Sequence, residues 1–221
     1  MKRLLLIIML FSYLSLNSSA AIKNKDSSYI VLESSTLRIL EQNNSDKQML
    51  IASTAKILTA ITVIENYNLE EEIIVTSKDV NEVGSKVYFK VNEKVKRIDL
   101  LYGLMLRSAN DAASALSNNN SYEFIKLMNE TAKKIGMKNS VFCNASGLDE
   151  KEYNLSTAYD MALLSAYVSK NEVFKAISST HIHSCKTSDN TYHWVNKHKL
   201  VKKDELFIWG KTGVAPFLCE I

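Results

Sequence analysis

The apolar positions of this chain follow two rhythms, short strand-like runs near both ends and helical spacing in between. After an apolar run over 4–16, the stretches 28–33 and 37–41 are rich in strand formers and are separated by Ser34, Ser35 and Thr36, which predicts an early hairpin. Residues 52–66 are apolar almost all round and predict a buried helix. A mixed region, 73–95, holds strand-like pieces at 73–75 and 87–89, with Gly84 and Ser85 as its clearest turn signal. Helical patterning resumes over 98–106, breaks at Ser108, Ala109 and Asn110, and continues through Leu116 with Asp111 placed to cap the second piece. Residues 118–120, three asparagines, form a loop. Ser121 then opens an amphipathic helix with Phe124, Ile125, Met128 and Ala132 on one face and Gly136 as its terminator. Thr157 and Asp160 make a capping-box-like start for another helix, and a shorter one covers 172–177. Strand character returns at 181–186 and at 206–209, the latter running directly into Lys211.

Strands at both ends with helices between predict an α+β fold: an antiparallel sheet built from both chain ends, flanking helices and an inserted helical lobe, with a cleft where sheet and lobe meet. The 221 residues suit one large domain or two closely packed lobes, and 46% hydrophobic composition suffices for a core. Residues 1–20 read as a secretory signal: Lys2 and Arg3 lead, the apolar run follows, and Ser18, Ser19 and Ala20 offer a small-residue cleavage site. The run is short for a membrane span. Cleavage would lower the formal net charge of +3 by the two charges of Lys2 and Arg3, leaving no basic patch and making nucleic acid an unsuitable partner. The protein is therefore expected to act outside the cytoplasm, in the secreted, periplasmic or wall-associated space; an uncleaved signal would tether it peripherally to the membrane. Three widely spaced cysteines, Cys143, Cys185 and Cys219, give no disulfide framework. His181, His183 and Cys185 alternate like ligands on one strand face, but no second cluster matches them, so neither a metal nor any other cofactor is expected.

One residue in the buried helix is out of place. Lys56 lies in an apolar segment, three positions after Ser53, and residues at i and i+3 share a helix face, so amine and hydroxyl can meet. Burial disfavours the ammonium form, which would let Lys56 accept the proton of a nucleophilic Ser53. By itself the pair reads as a helix cap and a lysine reaching for solvent. Two further elements follow in order, Ser108-Ala109-Asn110 and Lys211-Thr212-Gly213, with 55 and 103 residues between successive starts. Each alone reads as a turn or a strand end. The ordered set is the pattern of penicillin-recognising serine acyl-transferases.

The chain resembles the serine-type D-alanyl-D-alanine carboxypeptidases, the low-molecular-mass penicillin-binding proteins, from Tyr29 to Gly213. Besides the three motifs, the likeness rests on residues 99–104 leading into Asp111-Ala112-Ala113, on Met128-Asn129 with Ile135-Gly136-Met137, on residues 144–149 and 156–162, and on His198-Lys199-Leu200. The resemblance implies a penicillin-binding transpeptidase fold and a catalytic domain over 21–221, its sheet incomplete because further strands and a closing helix are expected after the third motif. It implies that Ser53 attacks the bond between the two terminal D-alanines of a peptidoglycan stem peptide. Lys56 would be the base, and Ser108 would relay a proton to the leaving amine. Asn110 would bond to Lys56 or to a substrate amide. Lys211 and Thr212 would hold the substrate carboxylate, Gly213 would allow close backbone approach, and the amides of Ser53 and Val214 would form the oxyanion hole. β-Lactam antibiotics are the expected inhibitors.

Two rival readings accompany this one. A class A β-lactamase shares the three motifs and deacylates through a glutamate; residues 150–154 superficially resemble that element, but Ser156-Thr157-Ala158 follows too closely for its longer loop. The other rival is an inactive, truncated relative that binds wall peptides, since only eight residues follow Gly213.

Overall fold

A computed structural model describes residues 27–148, 153–202 and 207–213; the predicted signal over 1–20 lies outside them. The early hairpin forms, β1 (Tyr29–Leu32) pairing antiparallel with β2 (Ile39–Asn43), with a register shift between Val31 and Leu32. The short β3 (Met49–Leu50) leads into a 3₁₀ turn at Ala52–Ala55 and helix α1 (Lys56–Asn66). Every side chain of α1 from Lys56 to Val63 is buried, which places this helix at the centre of the molecule. Fully burying residues such as Leu58 and Ile61 stabilises by about 1.5–3 kcal/mol each, so the turn that precedes them is held firmly.

The remaining helices wrap α1. They are α2 (Ser77–Asn81), α3 (Arg97–Arg107), α4 (Asn110–Leu116), α5 (Tyr122–Ile135), α6 (Ala158–Val168) and α7 (Glu172–Ser179), of which α3 to α7 pack directly on α1. Their ends follow the side-chain chemistry. Ser121 and Thr157 accept from the backbone amides of Phe124 and Asp160, and Gly136 ends α5 at φ +97°. Among the described residues every ladder is two-stranded: β1–β2, β3 with β6 (Leu155–Ser156), β4 (Glu72–Ile74) with β5 (Lys94–Lys96), and β7 (Ile182–Lys186) with β8 (Thr191–Val195). The β3–β6 pairing matters most for function, because it fixes the chain immediately ahead of the 3₁₀ turn against a strand about a hundred residues away. The class is α+β, as the alternating patterns predict.

Three local expectations need correction. Residues 87–89 are not a strand: Tyr88 sits at φ +65°, and the amides of Val87 and Tyr88 donate to the Asp111 carboxylate instead of to a neighbouring strand. Asp111 is consequently not a helix cap; Ala109 holds that position, and Asp111 turns inward from the first turn of α4. Of the strand expected over 206–209, Leu206 lies outside the described residues, and 207–209 are not in a ladder. Residues 207–213 run without a ladder and are anchored by side chains, Trp209 donating to Ser169 Oγ at 2.9 Å and standing edge-on to Phe174. A strand needs a hydrogen-bonded neighbour, and none lies alongside this segment among the described residues.

His183 is not grouped for a metal. It meets Asp99 at 2.6 Å and stacks on Tyr102, and no cluster of three or more His, Cys, Asp or Glu able to hold a metal occurs among the described residues. Cys185 is buried and its thiol is pushed up to about 12, chiefly by burial, so it is chemically quiet. No helix of the described residues is long and apolar enough to cross a membrane.

Candidate active site

The 3₁₀ turn carries Ser53, and the first residue of α1 is Lys56. Lys56 Nζ lies 3.1 Å from Ser53 Oγ and also donates to the carbonyl of Ser146. The side chain is fully buried. Burial above all, then the positive charge of Lys211, holds its amine well below the ordinary lysine value of 10.5; Glu82 opposes this and Lys197 adds to it.

The second motif closes α3. Ser108 adopts the left-handed conformation, φ +58°, and so turns its hydroxyl out of the helix. Lys211 Nζ donates to Ser108 Oγ at 2.9 Å and to the Thr212 carbonyl at 2.6 Å. Burial, with the charge of Lys197 behind it, brings the Lys211 amine down to about 8. The first, second and third motifs are thus brought together: Ser53 touches Lys56, Ser108 touches Lys211, and Lys56 feels the charge of Lys211.

Asn110 is placed differently from one expectation. Its Nδ2 donates to the Val83 carbonyl at 2.6 Å, which fixes the amide orientation because a carbonyl only accepts, and Lys56 spends its bonds on Ser53 and Ser146. Asn110 Oδ1 is buried with no partner, an acceptor waiting for a donor. Gly213 lies against the backbone of Ser53: a Cβ there would stand 3.2 Å from Ser53 N and 3.2 Å from Ile51 O. Thr212 is exposed beside it. Val214 lies outside the described residues.

Sequence reasoning missed the contributors that act through backbone or from outside the motifs. Ser146 contributes a carbonyl, which no side-chain pattern reveals. Gly147 packs so tightly on Ala52 that a Cβ would fall 1.9 Å from the Ala52 oxygen. Its loop is tied by Asn144, whose Oδ1 accepts from Gly147 N at 2.7 Å, and by Asn154, whose Oδ1 accepts from Cys143 N and Asn144 N at 2.8 and 3.1 Å. Ser85 and Lys197, joined at 3.1 Å, also belong to the rim.

Known proteins share this arrangement of chain. A D-alanyl-D-alanine carboxypeptidase of Bacillus subtilis is 29% identical over 196 residues, 85% of this chain and 49% of that protein. A D-alanyl-D-alanine endopeptidase of Haemophilus influenzae is 32% identical over 193 residues, 84% of this chain and 65% of that one. The chain therefore spans between half and two thirds of the length of these relatives. The crystal structure of the Streptomyces K15 DD-transpeptidase superposes with a TM-score of 0.78 at 28% identity, covering 86% of this chain and 80% of that one. Residues 16–217 match the peptidase S11 model, D-alanyl-D-alanine carboxypeptidase, and the chain belongs to that family.

Proposed function

We propose that the protein is an extracytoplasmic serine DD-carboxypeptidase that removes the terminal D-alanine from peptidoglycan stem peptides through an acyl-enzyme on Ser53, and that penicillin inhibits it by opening its β-lactam ring onto the same hydroxyl as a slowly released ester. The observation that carries this reading is a fully buried, neutral-leaning Lys56 amine 3.1 Å from the Ser53 hydroxyl. Family membership and the reading of residues 1–20 as a leader support the substrate and the location.

The substrate carboxylate pairs with the Lys211 ammonium and the Thr212 hydroxyl. Ser53 attacks the carbonyl between the two D-alanines while its proton passes to the lone pair of Lys56, which the Ser146 carbonyl orients by accepting the amine's N–H. The oxyanion is held by the amides of Ser53 and Val214. Ser108, whose oxygen already accepts from Lys211, gives its own proton to the leaving amine and takes one from the protonated Lys56, so that D-alanine departs and Lys56 is neutral again. Water then cleaves the ester with Lys56 again as base.

Incubation of the protein with labelled penicillin, followed by peptide mass spectrometry, tests this. A stable adduct on Ser53 that Ser53→Ala abolishes is the expected result. A folded protein that takes no label is the inactive relative, and one that turns penicillin over rapidly is a β-lactamase. A second expectation concerns pH. Lys211 grips a carboxylate only when protonated, so kcat/KM for D-Ala-D-Ala peptides should fall as pH rises through about 8. Lys211→Arg, which stays charged, should lose that limb; persistence of the limb would remove Lys211 from the role.

A further inference from the structure

Two of the lysines around the cleft belong to motifs, and a third, Lys197, does not. Its backbone is firmly seated. Lys197 N donates to the Leu106 carbonyl at 3.0 Å, just ahead of Ser108, while the preceding Asn196 donates from its side chain to the carbonyls of Ser178 and Thr180 at 3.2 and 3.0 Å. The long stem leaves the ammonium itself unspecified, and Ser85 Oγ receives it at 3.1 Å.

Ser85 is itself over-determined. Its carbonyl accepts from Asn110 N at 2.7 Å, and the Asn110 side chain holds the Val83 carbonyl on the other side of Gly84. Farther along, the buried Asp111 carboxylate accepts from Val87 N at 3.1 Å and Tyr88 N at 2.8 Å. Tyr88 is 73% exposed and left-handed at φ +65°, a conformation costly for a bulky residue that persists only where its surroundings enforce it. The second motif thus does more than line the cleft: Asn110 and Asp111 clamp the 83–88 loop from below.

We propose that Ser85 is a positioning residue of the site, its hydroxyl holding the Lys197 ammonium beside the second motif. This rests on the reading of Lys56 as the acceptor of the Ser53 proton. The charged groups that act on Lys56 are Lys211, Glu82 and Lys197, and Arg107 acts on Lys197 in turn. Like charge opposes protonation, so a fixed Lys197 favours the neutral Lys56 amine. Lys197 is exposed even when held, so Ser85 fixes where its ammonium points; without that bond the charge would spread over more distant, screened positions and that pressure would fade.

The test compares wild type, Ser85→Ala and Ser85→Thr in the full chain, with two readouts. The first is the pH profile of Ser53 acylation by a β-lactam. Ser85→Ala should acylate about tenfold more slowly near neutrality, as expected for losing a hydrogen bond to a charged group, with its acid limb displaced to higher pH. Ser85→Thr should restore both, and the melting temperature should stay that of wild type, because the loop's backbone anchors are untouched. The second readout needs no catalysis: NMR titration of isotope-labelled lysine amines, in which Lys56 should titrate at higher pH in Ser85→Ala. Unmoved titrations, or a lowered melting temperature with an unmoved acid limb, overturn the proposal. Displaced titrations in a protein whose wild type never acylates would uphold the placement and defeat the proposed function instead. Asp111→Asn, which loosens the same loop from the other side, should move the titrations in the same direction should Ser85→Ala fail to fold.

Discussion

Lys56→Met is expected to slow acylation of Ser53 by about 10²–10⁴-fold, the usual contribution of a positioned base, while leaving the fold at least as stable as wild type. The two halves of this expectation come from the same fact. Lys56 is fully buried, so its charged form is disfavoured and its neutral form is ready to take a proton. Methionine has similar length and no charge. It forfeits the bond to the Ser146 carbonyl, at a cost of about 1–3 kcal/mol, but removes an amine whose burial is itself unfavourable.

The balance depends on pH in a direction that can be worked out. Lys56 has a lower affinity for protons in the folded state than in the unfolded chain, where it titrates near 10.5. Between its folded value and 10.5 the unfolded state binds more protons, so wild type gains stability as pH rises through that window. The methionine variant has no such slope. Its stability relative to wild type should therefore be greatest at pH 6 and shrink toward pH 10, as measured by urea unfolding across that range. A Lys56→Met protein that acylates normally would end the proposed role; a flat stability difference would show that Lys56 is not held neutral by burial.

Much of this site was legible because its chemistry uses side chains at helical spacing. A lysine in an apolar helix three residues after a serine is conspicuous, and burial and contact together give it its meaning. The helix ends at Ser121, Thr157 and Gly136 were equally readable, since capping is a local transaction between a side chain and nearby backbone amides. What escaped was non-local. Residues 87–89 have strand-forming side chains, yet their amides are claimed by Asp111, a partner 23–24 residues distant that looked like a cap. β8 went unassigned although Tyr192 and Trp194 alternate in it, because its face is defined only by packing of Trp194 against Phe89 and of Tyr192 on Glu93. Ser146 offers a main-chain oxygen, and sequence patterns do not encode where a carbonyl points. The same limit applies to Lys197, one of 27 Lys and Arg residues in the chain, which only the Ser85 contact singles out.

Gly147→Ala should be the most damaging single-methyl change in the described residues. Gly147 has φ +77°, where an alanine costs about 1–2 kcal/mol from its own backbone. The larger penalty is steric. The added Cβ would stand 1.9 Å from the Ala52 oxygen, 2.3 Å from its carbonyl carbon and 2.9 Å from Ser53 N, all backbone atoms that cannot rotate aside. Ala52 is already left-handed at φ +45°, and the Asn144 and Asn154 bonds hold the Gly147 loop from behind, so neither wall yields cheaply. Either the loop retreats and takes the Ser146 carbonyl from Lys56, or the 3₁₀ turn moves and shifts the Ser53 amide and hydroxyl together. Overpacking of this kind adds about 1–3 kcal/mol, for a total of roughly 2–5 kcal/mol of lost stability. With Ser53 in its proposed roles, displacing its amide or hydroxyl by about 1 Å should cost about 10²–10³-fold in acylation rate. Gly136→Ala supplies the control, since Gly136 has φ +97° but its nearest neighbour would be Leu163 Cδ1 at 3.9 Å. That variant carries the backbone penalty without the collision, at the far end of α5, and should lose about 1–2 kcal/mol while acylating at the wild-type rate. Penicillin labelling and thermal unfolding of the two variants side by side would separate the effects. Equal losses in both would mean that the contact between Gly147 and Ala52 does not set the geometry of Ser53.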